Sequence, residues 1–161
     1  MEWKHMYSYA MVQQLRYNRR LQIDIQPVPE QFANYIVPRL ILQPLVENAV
    51  EHGLSRTERS GLCALKFEWD DQYLHILIED SGDEISDEQI TALNHFVHSR
   101  DLPGQETTAL INIHRRIKLF YGEGYGLTLA RATLGGLKVI IALPACGKEE
   151  NSADVECSDR R

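Results

Sequence analysis

Glu47, Asn48 and His52 lie in a segment, residues 38–53, that is rich in apolar residues. Burying a carboxylate or an amide is unfavourable unless a partner satisfies it. Helical spacing would place Asn48 beside His52, four residues on. An amide oxygen is a suitable ligand for Mg²⁺, and a neighbouring carboxylate can orient or deprotonate a nucleophile. The alternative is a helix whose polar edge simply faces solvent.

A second candidate group follows the apolar run at residues 76–78, where the chain continues Glu79-Asp80-Ser81-Gly82. A carboxylate at the end of a strand, here Asp80, can accept a hydrogen bond from an exocyclic amine such as that of adenine. Gly82 would let the backbone approach a ligand closely. An ordinary strand followed by an Asp-Ser-Gly turn has the same sequence, so this signal alone is weak.

A third candidate is the junction at residues 107–112, Thr-Thr-Ala-Leu-Ile-Asn, which opens a predicted helix. A helix N-terminus favours anions such as phosphate, but this junction lacks the glycines of most phosphate-binding loops. A helix capped by threonine explains it equally well. The remaining histidines have no metal-ligand spacing, and we expect surface or satisfied core positions for them: His5, His75, His95, His98 and His114.

The periodicity of apolar residues predicts the elements that must position these groups. Helices are expected at 2–17, 38–52, 87–98 and 109–120, with Pro44 kinking the second or delaying its regular part. A strand is expected at 21–26, and two hairpins at 63–79 and 125–143. This order predicts an α/β (α+β) fold in two layers, with a mixed, mainly antiparallel sheet and helices on one face. Residues 99–107 are expected to form a mobile loop.

The bulk properties are those of one globular domain. The chain has 161 residues, a net charge of −6 and no apolar run of membrane-spanning length. The negative charge argues against sequence-independent binding of nucleic acid. Three cysteines without paired spacing indicate a reducing compartment, hence the cytoplasm.

Taken in order, these segments resemble the ATP-binding catalytic domain of LytS/YehU-type sensor histidine kinases, in the GHKL ATPase superfamily. The segment 38–53 is similar to the N box of that group and is long and specific. Glu2, Tyr9, Gln13 and Arg16-Tyr17 resemble the helix that precedes the domain. The segment 112–122 resembles the motif after the nucleotide lid, and 139–144 resembles the closing strand.

The resemblance implies a Bergerat-type two-layer sandwich that binds ATP and Mg²⁺ between the helices and the lid. Asn48 would bind Mg²⁺, and Glu47 would polarise the attacking histidine as the catalytic residue. The expected nucleotide-binding residues are Asn48, His52, Asp80, Gly82 and Asn112, with Asp80 at the adenine amine and Asn112 at the phosphate end. The reaction would transfer the γ-phosphate of ATP to a histidine on a segment absent from this chain.

The chain departs from the family pattern in both glycine boxes. The first usually reads Asp-Asn-Gly-x-Gly, but Glu84 replaces its second glycine. The second usually reads Gly-x-Gly-Leu-x-Asn, but Thr107 and Ala109 replace both glycines. We therefore expect ATP to bind no more tightly than ADP. The alternative function is a degenerate, non-enzymatic module that relays conformation or binds partners; a serine kinase of the anti-sigma-factor type is disfavoured by the N box.

The expected domain organisation has three parts: residues 1–18 end a dimerisation-type helix, 19–145 form the GHKL ATP-binding domain, and 146–161 form a disordered tail. Expected partners are the nucleotide, the dimerisation and phospho-acceptor segment of the same receptor, and a response regulator. Nucleic acid is not expected. The domain would be the cytoplasmic part of a membrane receptor, reaching the membrane only through other segments, and the full-length protein is expected to be a homodimer.

Overall fold

The computed structural model describes residues 2–54, 60–82, 85–99 and 108–146. Four helices and five strands occupy these ranges. The helices are α1 (Glu2–Tyr17), α2 (Leu42–Leu54), α3 (Asp87–His98) and α4 (Thr108–Tyr121). The strands are β1 (Leu21–Ile25), β2 (Gly61–Trp69), β3 (Tyr73–Asp80), β4 (Gly126–Arg131) and β5 (Leu137–Pro144). The predicted order of elements is confirmed.

The strands form one sheet in the order β1-β2-β3-β5-β4. Strand β1 is parallel to β2, and every other neighbouring pair is antiparallel. The register aligns Leu65 with Ile78 and Ile78 with Val139, so buried side chains of neighbouring strands share one face. The helices pack on this face, as the order of elements predicted.

The start of α2 differs from the sequence-based prediction. The helix begins at Leu42 rather than Pro38, with Pro44 in its first turn, where its missing N–H costs nothing. Just before it, Leu40 has a φ of 61°, which is strained for a residue with a side chain. Arg116 on α4 holds this turn, because its Nη1 donates to the carbonyl oxygens of Arg39 and Leu40 at 2.8 and 3.3 Å.

Helices α3 and α4 begin and end at local signals that the sequence displays. Ser86 and Gln89 form a capping box at the start of α3, where each side chain accepts from the other residue's backbone N–H. Gly122 follows the end of α4 with a φ of 109°, a conformation that favours glycine. These caps fix the ends of the two helices that flank the site described below.

Helix α1 is part of the same core. Trp3, Met6 and Ala10 are buried against the rest of the domain, and the Trp3 ring meets Phe67 on β2 edge-on at 5.5 Å. The predicted mobile loop lies outside the described residues except for Ser99, and so does the predicted tail beyond Cys146. Within the described part of the chain, no helix is long and apolar enough to cross a bilayer.

Candidate functional site

A cleft of about 590 Å³ lies between α2, α3, the start of α4 and the sheet. This volume is typical of small-molecule sites. The floor comes from β3 and β5, and the walls come from the three helices. The lining residues are Leu45, Asn48, Ala49, Glu51, His52, Ile78, Asp80, Ile85, Gln89, Leu93, Ala109, Leu110, Leu137 and Val139.

Asp80 is the buried acid of the cleft, with 4% of its surface exposed. Its Oδ1 accepts from the N–H of Gly82 at 2.8 Å and from that of Leu137 at 3.4 Å. Burial raises the pKa of Asp80, while these two N–H groups and the charge of the nearby His52 act in the opposite direction. With Oδ1 occupied by backbone donors, Oδ2 is the oxygen that can accept from a ligand.

Two glycines allow the chain to close around Asp80. A Cβ on Gly136 would lie 2.0 Å from Asp80 Oδ1 and 2.7 Å from the Gly82 nitrogen. A Cβ on Gly82 would lie 2.9 Å from the carbonyl oxygen of His52. Side chains at either position would therefore collide with the carboxylate or with α2. Gly82 is not itself a lining residue of the cleft, but it holds the Asp80 carboxylate and packs against the end of α2.

Helix α2 places Asn48 and His52 on the wall of the cleft, one turn apart. Glu47 is half-buried and faces elsewhere: its Oε1 accepts from Gln43 Nε2 at 2.8 Å, and it does not line the cleft. Burial, together with the charges of Glu47 and Glu51, raises the pKa of Tyr9 on α1 to about 12. The structure thus brings Asn48, His52 and Asp80 together and turns Glu47 toward α1.

Asn112 does not join this group. It lies on α4, is exposed, and is not a lining residue of the cleft. The residues of α4 that do reach the cleft are Ala109 and Leu110, at the start of the helix.

The lining of the cleft is mostly apolar. The floor contributes Ile78 and Val139 beside Asp80, and the helices add leucine and alanine side chains. Among the lining residues that the structure describes, none is lysine or arginine, whereas Glu51 adds a negative charge. The surface suits a flat apolar ring with an amine donor better than it suits a polyanion without a cation.

The histidines outside α2 behave as expected from the sequence. His114 is buried, and its Nδ1 accepts from the backbone N–H of Leu127 at 3.0 Å. No cluster of three or more histidine, cysteine, aspartate or glutamate side chains is placed to bind a metal within the described ranges.

The sequence matches the family described as histidine kinase-, DNA gyrase B- and HSP90-like ATPases over residues 34–147. The chain belongs to this family. It is an ATP-binding catalytic domain of the kind found in sensor histidine kinases.

The relatives are longer than this chain. The sensor histidine kinase YpdA of Escherichia coli (strain K12) is 32% identical over 73% of this chain and 20% of its own length. The sensor histidine kinase/phosphatase LytS of Staphylococcus aureus (strain MRSA252) is 27% identical over 89% of this chain and 24% of its own. The chain thus spans about a fifth to a quarter of these relatives.

Solved structures show the same fold. The nucleotide-free catalytic domain of the histidine kinase ThkA superposes with a TM-score of 0.67, covering 92% of this chain and 97% of that domain at 14% identity. The mycobacterial sensor histidine kinase MprB superposes with a TM-score of 0.60 at 15% identity, covering 92% and 98%. The predicted Bergerat-type sandwich is confirmed by this likeness.

Several residues of the cleft were not singled out from the sequence. Gln89 and Leu93 on α3 line it, as does Ile85 just before that helix. Their spacing on α3, four residues apart, indicates one face of a helix but not what that face contacts. Leu137 also lines the cleft, and its N–H reaches Asp80 on the neighbouring strand.

Proposed function

We propose that the cleft binds ATP with the adenine amine donating to Asp80 and the ring between the apolar floor and walls. The observation that carries this proposal is the buried Asp80 carboxylate, which has backbone donors on Oδ1 and opens into an apolar cleft. A buried carboxylate needs a further donor for its other oxygen. An amine on a flat ring satisfies that need.

Magnesium would enter this site with the nucleotide. The Asn48 side-chain oxygen is a hard donor at the cleft wall, and Mg²⁺ is commonly bound by one or two protein oxygens together with phosphates and water. When bound, the ion would neutralise charge on the phosphates, which the described lining does not. His52, one turn further along α2, would lie on the same side of the nucleotide.

The reaction that we propose is γ-phosphoryl transfer from ATP to a histidine outside this chain. Glu47, turned toward α1, would polarise that histidine at the edge of the site rather than touch the nucleotide. Asn112 would act near the phosphates only if the chain before α4 brought them toward it. Positioning and charge neutralisation supply most of the catalysis in such transfers.

The domain would act within a larger receptor. The sensor kinases it resembles are several times longer, and ThkA has been solved in complex with the response regulator TrrA. We propose a response regulator and the dimerisation and phospho-acceptor segment as partners, in a homodimer. We also propose that this domain lies on the cytoplasmic side of a membrane-bound protein.

The second candidate is a module that binds nucleotide weakly and relays conformation without phosphoryl transfer. The absence of lysine and arginine from the described lining favours it, as does Ala109 where the family usually has glycine. An intact Asn48 and Asp80 favour the kinase instead.

Calorimetry with Mg-ATP and Mg-ADP on the purified chain tests the proposal. We expect ADP to bind, and Asp80→Asn to weaken it by about tenfold or more, because the amide presents a donor as well as an acceptor. The matched control is Asp71→Asn, which changes an exposed carboxylate in the β2–β3 turn. If Asp80→Asn and the parent bound ADP equally well, Asp80 would not contact the nucleotide.

A further inference from the structure

The face of the sheet opposite the cleft contains a buried carboxylate with three partners. Glu79 has 2% of its side chain exposed. Its Oε1 pairs with Lys138 Nζ at 2.9 Å, and its Oε2 accepts from Thr133 Oγ1 at 2.8 Å and lies 3.9 Å from Lys66 Nζ. Burial alone would raise the pKa of Glu79, but Lys138 and Thr133 lower it overall. Glu79 is therefore a fixed, ionised anchor.

This anchor is adjacent to the adenine site along the chain but on the other side of the sheet. Glu79 and Asp80 are consecutive on β3, and consecutive strand residues point to opposite faces. Glu79 therefore cannot touch a nucleotide bound beside Asp80. Any influence on the site must pass through a shared structural element.

The turn between β4 and β5, residues 132–136, is that element. In the first half of the turn, the Thr133 hydroxyl donates to Glu79 on the face opposite the cleft. In the second half of the turn, the Gly136 N–H donates to the Asp80 carbonyl oxygen at 3.2 Å. The next residue, Leu137, donates its N–H to Asp80 Oδ1. The turn thus connects one side of the sheet to the other around the end of β3.

We propose that Glu79 and Thr133 are positioning residues for adenine recognition. By holding the β4–β5 turn, they set the distance from the Leu137 N–H to Asp80 Oδ1 and so the orientation in which Oδ2 meets the adenine amine. The contact at 3.4 Å is long, so a small displacement of the turn breaks it. This inference rests on the proposed nucleotide function of the cleft.

The variant that tests it is Thr133→Val, which removes the hydroxyl and keeps the shape. Thr133 is exposed, so the variant should fold. Thr128→Val is the matched control, because Thr128 is an exposed threonine on β4 itself. Thr133→Ser restores the hydroxyl and should rescue the effect.

The measurement is calorimetric affinity for ADP and for purine riboside 5′-diphosphate, which lacks the 6-amino group. We expect Thr133→Val to weaken ADP by about three- to tenfold, as for one lost hydrogen bond, and the amine-free analogue by less than about twofold. Thr133→Ser and Thr128→Val should bind both ligands like the parent. Glu79→Gln keeps an acceptor for Thr133 but loses the ion pair. Its affinity for ADP should lie between those of the parent and Thr133→Val.

Two results overturn the inference: equal weakening of both ligands by Thr133→Val, which indicates a merely structural role, or no weakening of either. Failure of the cleft proposal is distinguishable. In that case the parent itself would bind ADP no better than the amine-free analogue, and Asp80→Asn would change neither affinity.

Discussion

Two buried ionisable side chains, Asp80 and His114, accept hydrogen bonds from backbone N–H groups. Asp80 accepts two of them and is available for a ligand on its other oxygen. His114 accepts one from Leu127, so the unprotonated Nδ1 is the acceptor and Nε2 carries the hydrogen. A Cβ at Gly126 would lie 2.6 Å from this Nδ1, so only glycine at this position leaves room for the ring.

His114 should make the domain sensitive to acid. Burial, together with the charges of His98, Lys118 and Arg115, lowers its pKa to about 4, while Glu123 acts in the opposite direction. The unfolded chain therefore binds the proton at a higher pH than the folded one, and folding stability falls as pH drops from about 6.5 toward 4. The loss is at most about 1.4 kcal/mol per pH unit.

Urea unfolding at several pH values between 7.5 and 4 checks this prediction. In His114→Asn, whose amide oxygen can still accept from Leu127, the pH dependence over this window should flatten relative to the parent. The control is His5→Asn, which changes an exposed histidine on α1 and should keep the parent's slope. A parent-like slope in His114→Asn would assign the acid sensitivity to other groups.

At the scale of elements, the shape of the cleft depends on the end of a strand, a turn and the start of a helix. Strand β3 ends at Asp80, the β4–β5 turn closes over it, and α4 begins beside it with Ala109. The turn can come this close only because Gly136 has no side chain.

Gly136→Ala should therefore disturb the site more than the sheet. The added methyl would collide with Asp80 Oδ1 and push the turn or the carboxylate away, and we expect ADP affinity to fall about tenfold or more. Gly124→Ala is the matched control, because a Cβ at Gly124 meets nothing within 4 Å. Calorimetry on both variants measures the effect; unchanged ADP binding by Gly136→Ala would show that the turn can relax without cost to the site.

The start of α4 should set the preference between nucleotides. Glycines let backbone N–H groups approach phosphates, and Thr107 and Ala109 stand in their place. We predict that the parent binds Mg-ATP no more tightly than Mg-ADP, and that Thr107→Gly with Ala109→Gly improves ATP selectively, by roughly tenfold.

Calorimetric titrations of the parent and the double variant with Mg-ATP and Mg-ADP test this prediction, and Mg-ADP is the internal control. Micromolar, ATP-preferring binding by the parent would show that the missing glycines do not matter. That result would favour an ordinary active kinase domain.

At the scale of the whole molecule, α1 belongs to the core of the ATP-binding domain. Met6 is fully buried between α1 and the rest of the domain, whereas Met11 is 68% exposed on the same helix. The resemblance predicts that residues 1–18 end a dimerisation-type helix, and we expect the buried face of this helix to contribute to the stability of the domain.

Met6→Ala should destabilise the domain by about 2–5 kcal/mol, as for other large core truncations. Met11→Ala makes the same chemical change at an exposed position and should stay within about 0.5 kcal/mol of the parent. Chemical denaturation measures both. ADP affinity below the unfolding transition should be unchanged in Met6→Ala, because Met6 does not line the cleft. Equal stability of the two variants would contradict the conclusion that α1 is part of the domain core.

Much of the fold follows from local sequence. Apolar periodicity predicted the helices and strands to within a few residues. The capping box at Ser86 and the glycine after α4 are local sequence signals that coincide with helix ends. The start of α2 was placed four residues too early, because Pro38 and Pro44 both suit a first helical turn and only packing chooses between them. Leu45, Ile76 and Ile117 stand at apolar positions of that periodicity, and all three are buried.

The sequence by itself determined the elements, the family resemblance and the residue types of the cleft, because these depend on neighbours along the chain. Only the tertiary structure decided which of those residues meet. It placed Asn48 and His52 opposite Asp80, turned Glu47 toward α1 and left Asn112 exposed. It also joined Glu79, Thr133 and Leu137 around Asp80, since strand register and turn geometry connect residues more than fifty positions apart.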